Sequence, residues 1–363
     1  MRQKEFSQQV DVYLKTAHVV HRGIRNIATT IDAVGQGTLR VPVTINSSER
    51  CNSWICSPYT TYVSYAAEEL ERFGHPLYTK PLSFLCQMLG NLLLSARIDD
   101  TVTVNNWLVS TNCYPEAPIK TVNGWIEESV SRWPSHAIWF RSLNRRYTSE
   151  WLSALTAAGC ILIPSRQVYL FDCIQANART PKNLRWDFAL LDQWRNRRSD
   201  ANTWNSADYV QAEKLYGKLY LEKYSKLNPQ YTSTLLSAWS NAGLLSLIGY
   251  RSANGELIAV IGMLELDGTV TAPIVGYDTS LPQRLGLYRL LMATIFERAA
   301  ETGQRVNLSA GAAGFKRLRG GIPEIEYSAV YSRHLPAVRR HVLSALSILA
   351  RRIGEPIMRK YEL

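Results

Sequence analysis

The chain has 363 residues, 46% of them hydrophobic and 20% charged. That apolar content excludes a disordered chain, a disulfide-held miniprotein and a collagen-like repeat, and the length suits two domains better than one. Lysine and arginine total 41 against 30 aspartate and glutamate, a formal charge of +11, which fits a polyanionic partner, an anionic ligand or scattered surface charge.

Residues 1–50 show no sustained pattern; 19–20 and 24–27 suit short elements, punctuated by Gly35, Gly37 and Pro42. Ser57 and Pro58 read as a helix start, because proline at the first helical position loses an amide that has no partner anyway. Val63, Ala66, Ala67 and Leu70 then recur at i, i+3, i+4 and i+7, one face of an amphipathic helix ended by Gly74. A second helix begins near Pro81 and carries Phe84, Met88, Leu92 and Leu93. Residues 101–110, rich in valine and threonine, read as a strand. A helix over 121–132, a strand over 137–141 and a helix over 149–158 ending at Gly159 follow. Residues 160–164 and 167–171 are strand material divided at Pro164. Strands interleaved with helices predict an α/β or α+β fold.

Residues 177–205 are less regular and hold Lys182, Arg185, Arg195, Arg197 and Arg198; they read as a domain boundary or as part of a binding face. A tyrosine-rich helix over 207–224 and a helix over 232–242 come next. Strands over 244–250, 257–264 and 269–277 are separated by Asn254 with Gly255 and by Asp267 with Gly268, both two-residue hairpin signals. Pro273 removes a ladder donor and predicts a bulge or an unpaired position in the third of these strands. A helix over 286–301 buries Leu287, Leu290, Leu291, Ile295 and Ala299, with Gly303 at its end. A short strand over 305–308, a glycine-rich loop over 311–314, a strand over 326–333 and a basic helix over 338–352 complete the chain.

Several residues stand out by type and place. Lys316 follows the glycine-rich loop beside Arg317 and Arg319, which suits contact with a phosphate or a carboxylate, or a solvated basic loop. Arg141 and Asn144 end a strand and suit either a site or a turn cap. Asn105 and Asn106 interrupt an apolar strand, so one of them faces a cleft or sits at a bulge. Arg166, beside Tyr169, suits an anionic substrate group or an ordinary surface position. Tyr216, Tyr220 and Tyr224 recur at helical spacing as one packed stripe, or border an acceptor channel. The six cysteines (Cys51, Cys56, Cys86, Cys113, Cys160 and Cys173) lack zinc-type spacing and read as buried free thiols. No metal site and no Ser/His/acid triad are expected. The start carries no recognisable signal peptide, and no apolar run reaches ~20 residues, so a cytoplasmic protein without a membrane span is expected. Residues 301–363 hold eleven lysines or arginines against five acidic residues, a balance suited to a phosphate-rich donor or to anionic lipid.

The order meander, helix, strand, loop or helix, strand resembles the core of the GNAT acyltransferase superfamily. Gln283, Arg284, Leu285, Gly286, Leu287 and Tyr288 match its Gln/Arg-x-x-Gly-x-Gly/Ala pyrophosphate motif at the first and fourth positions; Tyr288 departs from it by replacing a small residue. The run 309–320, with Phe315 and Lys316 after the glycines, is similar to a segment of FemAB-like and BioF2-like acyltransferases, and the likeness covers residues 100–345, more strongly in the second half. The resemblance implies two tandem GNAT-like halves, each with a mixed, mainly antiparallel sheet. The divisions are an N-terminal region (1–95) packed on the first half, a degenerate half (96–180), a connecting segment (181–206) and a C-terminal GNAT-like domain (207–363).

The activity it implies is acyl transfer from acyl-CoA, a cosubstrate rather than a bound cofactor, to an amine of a small molecule or peptide, in natural-product or cell-envelope biosynthesis. Aminoacyl-tRNA as donor is the alternative, making tRNA a partner, with no DNA partner expected; a non-catalytic binding protein is the third reading. Lys316, Tyr277, Asp278 and Asn106 are the implied catalytic residues. Gln283, Arg284, Gly286, Leu287 and Arg317 would hold the donor. Arg141, Asn144, Arg166, Tyr169, Tyr216 and Tyr220 would meet the acceptor, in a groove expected between the halves.

Overall fold

The computed structural model describes residues 2–47, 49, 51–73, 76–115, 119–172, 174 and 180–362. Its strands in chain order are β1 (Thr30–Val34), β2 (Val41–Ser47), β3 (Asp100–Val104), β4 (Ala137–Asn144), β5 (Ile161–Phe171), β6 (Arg198–Asp200), β7 (Ser246–Arg251), β8 (Leu257–Leu266), β9 (Thr269–Tyr277), β10 (Arg305–Asn307) and β11 (Ile322–Tyr331). They belong to two compact units, each discontinuous in sequence. The first unit holds residues 26–167, 227–229 and 325–363; the second holds 1–25, 168–226 and 230–324.

In the first unit β1, β2 and β3 form an antiparallel meander, with Asp32 opposite Val43 and Ile45 opposite Val102. β3 then runs parallel to β4, from Thr101 opposite Ala137 to Val104 opposite Phe140. A parallel pair needs a long crossover, and here it contains the helix Ile119–Arg132. β3 and β4 are buried along their whole length, so their sequences lack the alternation of a half-exposed strand. β11 pairs antiparallel with β4, with Val330 opposite Trp139. The chain after β11 therefore stays in this unit, where Val342, Leu343 and Leu346 pack with Val63, Leu93, Ala96 and Trp139.

The second unit repeats this order. β7, β8 and β9 form a meander, and the turn between β8 and β9 has Asp267 at φ 46° and Gly268 at φ 73°, the left-handed pair a two-residue hairpin requires. The crossover helix Leu287–Thr302 leads to β10, which runs parallel to β9. β5 pairs antiparallel with β10 through Leu170 and Phe171. Each half thus sends its last strand, β5 or β11, to the parallel strand of the other half's unit. The core is formed by the crossover helix, β8, β9 and the helix Lys182–Trp194, with Phe296 against Phe171 at 4.8 Å.

Several expectations are corrected. Set beside the contiguous divisions 1–95, 96–180, 181–206 and 207–363, residues 1–25 group with the second unit and 325–363 with the first, the latter through the pairing of β11 with β4. Residues 2–47 are regular, with helices Arg2–Lys15 and Ala17–Gly23 before β1 and β2. β3 stops at Val104 because Asn105 turns left-handed at φ 56°. Pro164 does not divide β5. The segment 177–205 is not a boundary: its helix buries Leu184, Asp187, Leu191 and Trp194 in the second unit. The helix over 81–93 begins earlier, at Pro76, and leaves Met88 and Leu92 exposed while burying Leu93. The helix stop at Gly74 and the thiol of Cys173 lie outside the described residues. Cys56, Cys113 and Cys160 are buried free thiols, whereas Cys51 is exposed. Among the described residues no helix is long and apolar enough to cross a membrane, and no three His, Cys, Asp or Glu side chains gather to hold a metal ion.

Candidate active site

The second unit opens where its two parallel strands part. β9 and β10 pair over three positions, ending at Thr271 opposite Asn307, and β9 continues alone on that side to Tyr277. Along its other edge, the register with β8 shifts between Gly262 opposite Ile274 and Leu264 opposite Thr271. Ala272 and Pro273 together face Met263, so the proline falls in a bulge where its missing donor costs no ladder bond. A Cβ on Gly276 would stand 2.4 Å from the backbone of Leu215 and Tyr216. Glycine there lets the helix Ser206–Tyr216 lie directly on the end of β9, which brings the following turn, with Tyr220, to the same place.

The crossover helix starts at that end of β9. Gln283 and Arg284 lie exposed in a single 3-10 turn; Gly286 follows at φ 65°, and Leu287 is buried as the first helical residue. A helix start leaves its first amides without intrahelical partners and with positive partial charge, the requirement for holding phosphate or oxyanion. Tyr288 packs inward, with its ring 4.8 Å from Phe315 and 6.4 Å from Tyr277. Burial drives its hydroxyl pKa well above the ordinary tyrosine value, with Tyr220, Tyr224 and Tyr277 nearby adding to the shift. Tyr216 is buried and stacks on Tyr220 at 5.0 Å, while Tyr224 is 41% exposed. Tyr277 is half-buried, and burial raises its pKa as well. The structure thus brings Tyr216, Tyr220, Tyr277, Gly286 and Leu287 together. Asp278 next to them is engaged elsewhere. It accepts from Lys218 Nζ at 2.7 Å and from the Ser280 hydroxyl at 2.8 Å, and the Lys218 bond holds its carboxyl below the usual range.

Lys316 sits in the short helix Ala313–Arg317 and is only 2% exposed. Its ammonium donates to the carbonyls of Leu308 (2.8 Å), Ser309 (3.2 Å) and Ala310 (2.8 Å), and lies 5.5 Å from the centre of the buried Tyr169 ring. Three donors on three carbonyls make it a clamp on the loop after β10; the outward charge expected for a phosphate belongs to the neighbouring, exposed Arg317. Tyr169 likewise bonds that loop through its backbone, to Ser309 and Leu308. Sequence reasoning missed Asp187. Fully buried, it accepts from Arg289 at 2.7 Å and from Arg319, whose guanidinium carbon lies 3.4 Å from the centre of the Phe315 ring. One acidic residue in a basic stretch gives no signal of this bridge.

Asn106, Arg141, Asn144 and Arg166 lie in the first unit. Arg141 Nη1 donates to Ile55 O at 2.6 Å and to Asn106 Oδ1 at 3.2 Å. Burial and the nearby Arg166 lower its pKa to about 10. Arg166 pairs with Glu326 at 2.9 Å, and both guanidiniums bear on Trp54. Asn144 acts as a turn cap, its side chain accepting from the amides of Arg146 and Tyr147 at 3.1 and 2.7 Å.

Residues 188–317 match the family described as acetyltransferase (GNAT) domain. No curated protein matches the chain. Among solved structures, FemX superposes with a TM-score of 0.51 at 8% identity, over 90% of this chain and 96% of that one, a likeness of fold. L-PGS from Bacillus licheniformis gives 0.46 at 12% identity over 68% and 82%, and a GCN5-related N-acetyltransferase from Kribbella flavida gives 0.33 at 13% over 64% and 81%. Residues 188–317 are thus a GNAT-type acetyltransferase domain, in a chain whose fold is like that of FemX.

Proposed function

We propose that the second unit transfers an acyl group from a coenzyme A thioester to an amine of a small molecule or peptide. The observation that carries the reading is the start of the helix Leu287–Thr302 at Gly286, placed beside the free end of β9. Its first amides would take the donor's pyrophosphate, and the edge of β9 beyond Thr271 would pair with the donor's amide-bearing arm. The amine attacks the thioester carbonyl carbon, the tetrahedral oxyanion collapses, and the carbon–sulfur bond breaks. The amine's proton leaves to water, because Asp278 is committed to Lys218. Tyr277, kept protonated by burial, would give its proton to the departing sulfur and recover one from water. Positioning and desolvation supply the remaining acceleration, since a thioester is already activated.

A second reading, with an aminoacyl ester of tRNA as donor, is favoured by Tyr288, whose ring occupies space that a small residue would leave open, and by the exposed Arg284 and Arg317. Calorimetry with acetyl-CoA and salt-dependent filter binding of aminoacyl-tRNA separate the two. Saturable acetyl-CoA binding with thiol release in the presence of amines supports the first; salt-sensitive tRNA binding without it supports the second. Neither activity would leave a binding protein and end the transferase reading.

A further inference from the structure

We infer that the first unit holds a binding site of its own for a small oxyanion-bearing ligand, a carboxylate or a phosphate, gripped by Arg141 and Arg166. The inference does not rest on the transferase reading.

Arg141 is 9% exposed, Glu326 2%, and the side chain of Arg166 15%. Two guanidiniums thus face one carboxylate, Glu326, which lies against Arg166. The other ionisable groups facing Arg141, namely Cys56, Tyr62 and Tyr114, are all held neutral by burial, with the thiol pushed up to about 12. An uncompensated buried cation is costly, and a bound anion removes that cost.

Arg141 spends Nη1 on Ile55 and Asn106; Arg166 spends Nε on Glu326 and Nη2 on Ser110 O, Thr111 Oγ1 and Glu326. Among the described residues, no acceptor is bonded to Nε or Nη2 of Arg141 or to Nη1 of Arg166. Trp54 orients both forks, with guanidinium carbons 5.0 and 4.8 Å from its ring centre. Guanidinium forks match carboxylate and phosphate oxygens two at a time, so the class of ligand follows.

The last paired residues of β3 and β4 are Val104 and Phe140, so Asn105 and Arg141 are the first residues past the point where these parallel strands part. Ligands of open α/β sheets bind at such carboxyl ends. The backbone here is also strained: Asn105, Leu108 and Ser142 all have φ between 56° and 64°, an expense non-glycine residues meet where the surroundings enforce it. A buried amide network enforces it, with Trp107 Nε1 donating to Asn105 Oδ1 at 2.8 Å, Asn106 Nδ2 to Thr44 Oγ1 at 2.9 Å and the Asn112 amide to Ser142 Oγ at 3.0 Å.

The test is calorimetric titration of the full chain with sodium phosphate and, separately, sodium succinate, at ionic strength matched with sodium chloride. Wild type is expected to bind at least one probe saturably below ~1 mM, and the stronger of the two identifies the source of the oxyanion. Arg141→Lys and Arg166→Lys keep the charge and lose the fork; each is expected to weaken binding about tenfold or more with an unchanged circular dichroism spectrum. Hydrogen exchange of the wild-type chain gives a readout that needs no variant: amides over 105–113 and 139–144 slow at saturating probe. No saturable binding of either probe, equal affinity in both folded variants, or unchanged exchange in those segments would overturn the assignment.

Discussion

The ammonium nitrogen of Lys316 lies 2.8 Å from the carbonyl oxygen of Leu308, the first residue beyond β10. With the bonds to Ser309 and Ala310 it fixes a loop that includes Ser309 and Ala312 in the left-handed region, at φ 58° and 50°. Lys316→Met keeps the length of the side chain and removes all three donors. The buried Leu308 carbonyl left unpaired costs about 1–3 kcal/mol, and the part-buried carbonyls of Ser309 and Ala310 less because water reaches them, so a stability loss of roughly 2–4 kcal/mol is expected. Urea unfolding measures it. Wild-type stability in this variant would show that the loop stands without its clamp.

Gly286 sets the direction of the candidate donor-binding amides. An alanine there must hold φ 65°, at roughly 1 kcal/mol, and its Cβ would meet Leu190 Cδ2 at 3.0 Å. Leu190 is a side-chain end that can yield, so Gly286→Ala is expected to fold, with Tm lowered by a few degrees, while donor affinity falls about tenfold because the first turn is displaced. Gly276→Ala is the contrast: its Cβ would strike backbone at 2.4 Å, and separating the helix Ser206–Tyr216 from β9 destabilises the whole second unit. Calorimetry with the donor and thermal unfolding distinguish the two outcomes.

Stability should also report the carboxyl of Asp99, whose pKa burial raises from 3.8 to about 6 despite bonds from Ser57 and the Tyr59 amide. A raised acid binds more protons folded than unfolded, so its contribution is complete below the unfolded value and declines as pH rises through the folded one. Relative to Asp99→Asn, wild type is therefore expected to lose stability between about pH 4 and pH 6, by up to ~3 kcal/mol. Parallel unfolding free energies for the two proteins across this range would exclude the shift.

The second unit was legible because its signals are local. Asp267 with Gly268 writes a hairpin turn, Pro273 a bulge, and Leu287, Leu290, Leu291, Ile295 and Ala299 one buried helix face; all stand in the structure as read. The first unit was less legible for a physical reason. β3 and β4 are buried on both faces, so period two disappears, and Asn105 and Asn106 read as flaws in a strand when they are its end. The exchange of β5 and β11 leaves no trace in local pattern, because pairing partners more than a hundred residues apart are chosen by tertiary fit. The site divided in the same way. The glycine turn at Gly286 shows in sequence, whereas Asp187 and Trp54 acquire their roles only from residues far along the chain. Lys316 was visible as a residue type, but its three carbonyl partners were not.

Asp187 joins two arginines of different exposure. Its carboxylate is fully buried between Arg319, whose side chain is 6% exposed, and Arg289, whose side chain is 40% exposed. The two ion pairs share an acid but differ in solvent access, and their costs should differ accordingly. Asp187→Ala strands a buried guanidinium and is expected to cost about 3–5 kcal/mol; Arg319→Ala removes the buried partner of Asp187 Oδ2 and leaves the carboxylate only its more exposed pair with Arg289, so about 2–4 kcal/mol is expected. Arg289→Ala leaves the inner pair intact and should cost no more than about 1 kcal/mol. Arg319 also supports Phe315, which packs on Tyr288, so its removal reaches the aromatic wall beside Tyr277. Transfer activity is therefore expected to follow Asp187 and Arg319 and to be nearly unchanged by Arg289→Ala. Urea unfolding of the three variants, with activity measured on each, checks both orders; equal effects at Arg289 and Arg319 would mean that burial does not separate the two pairs.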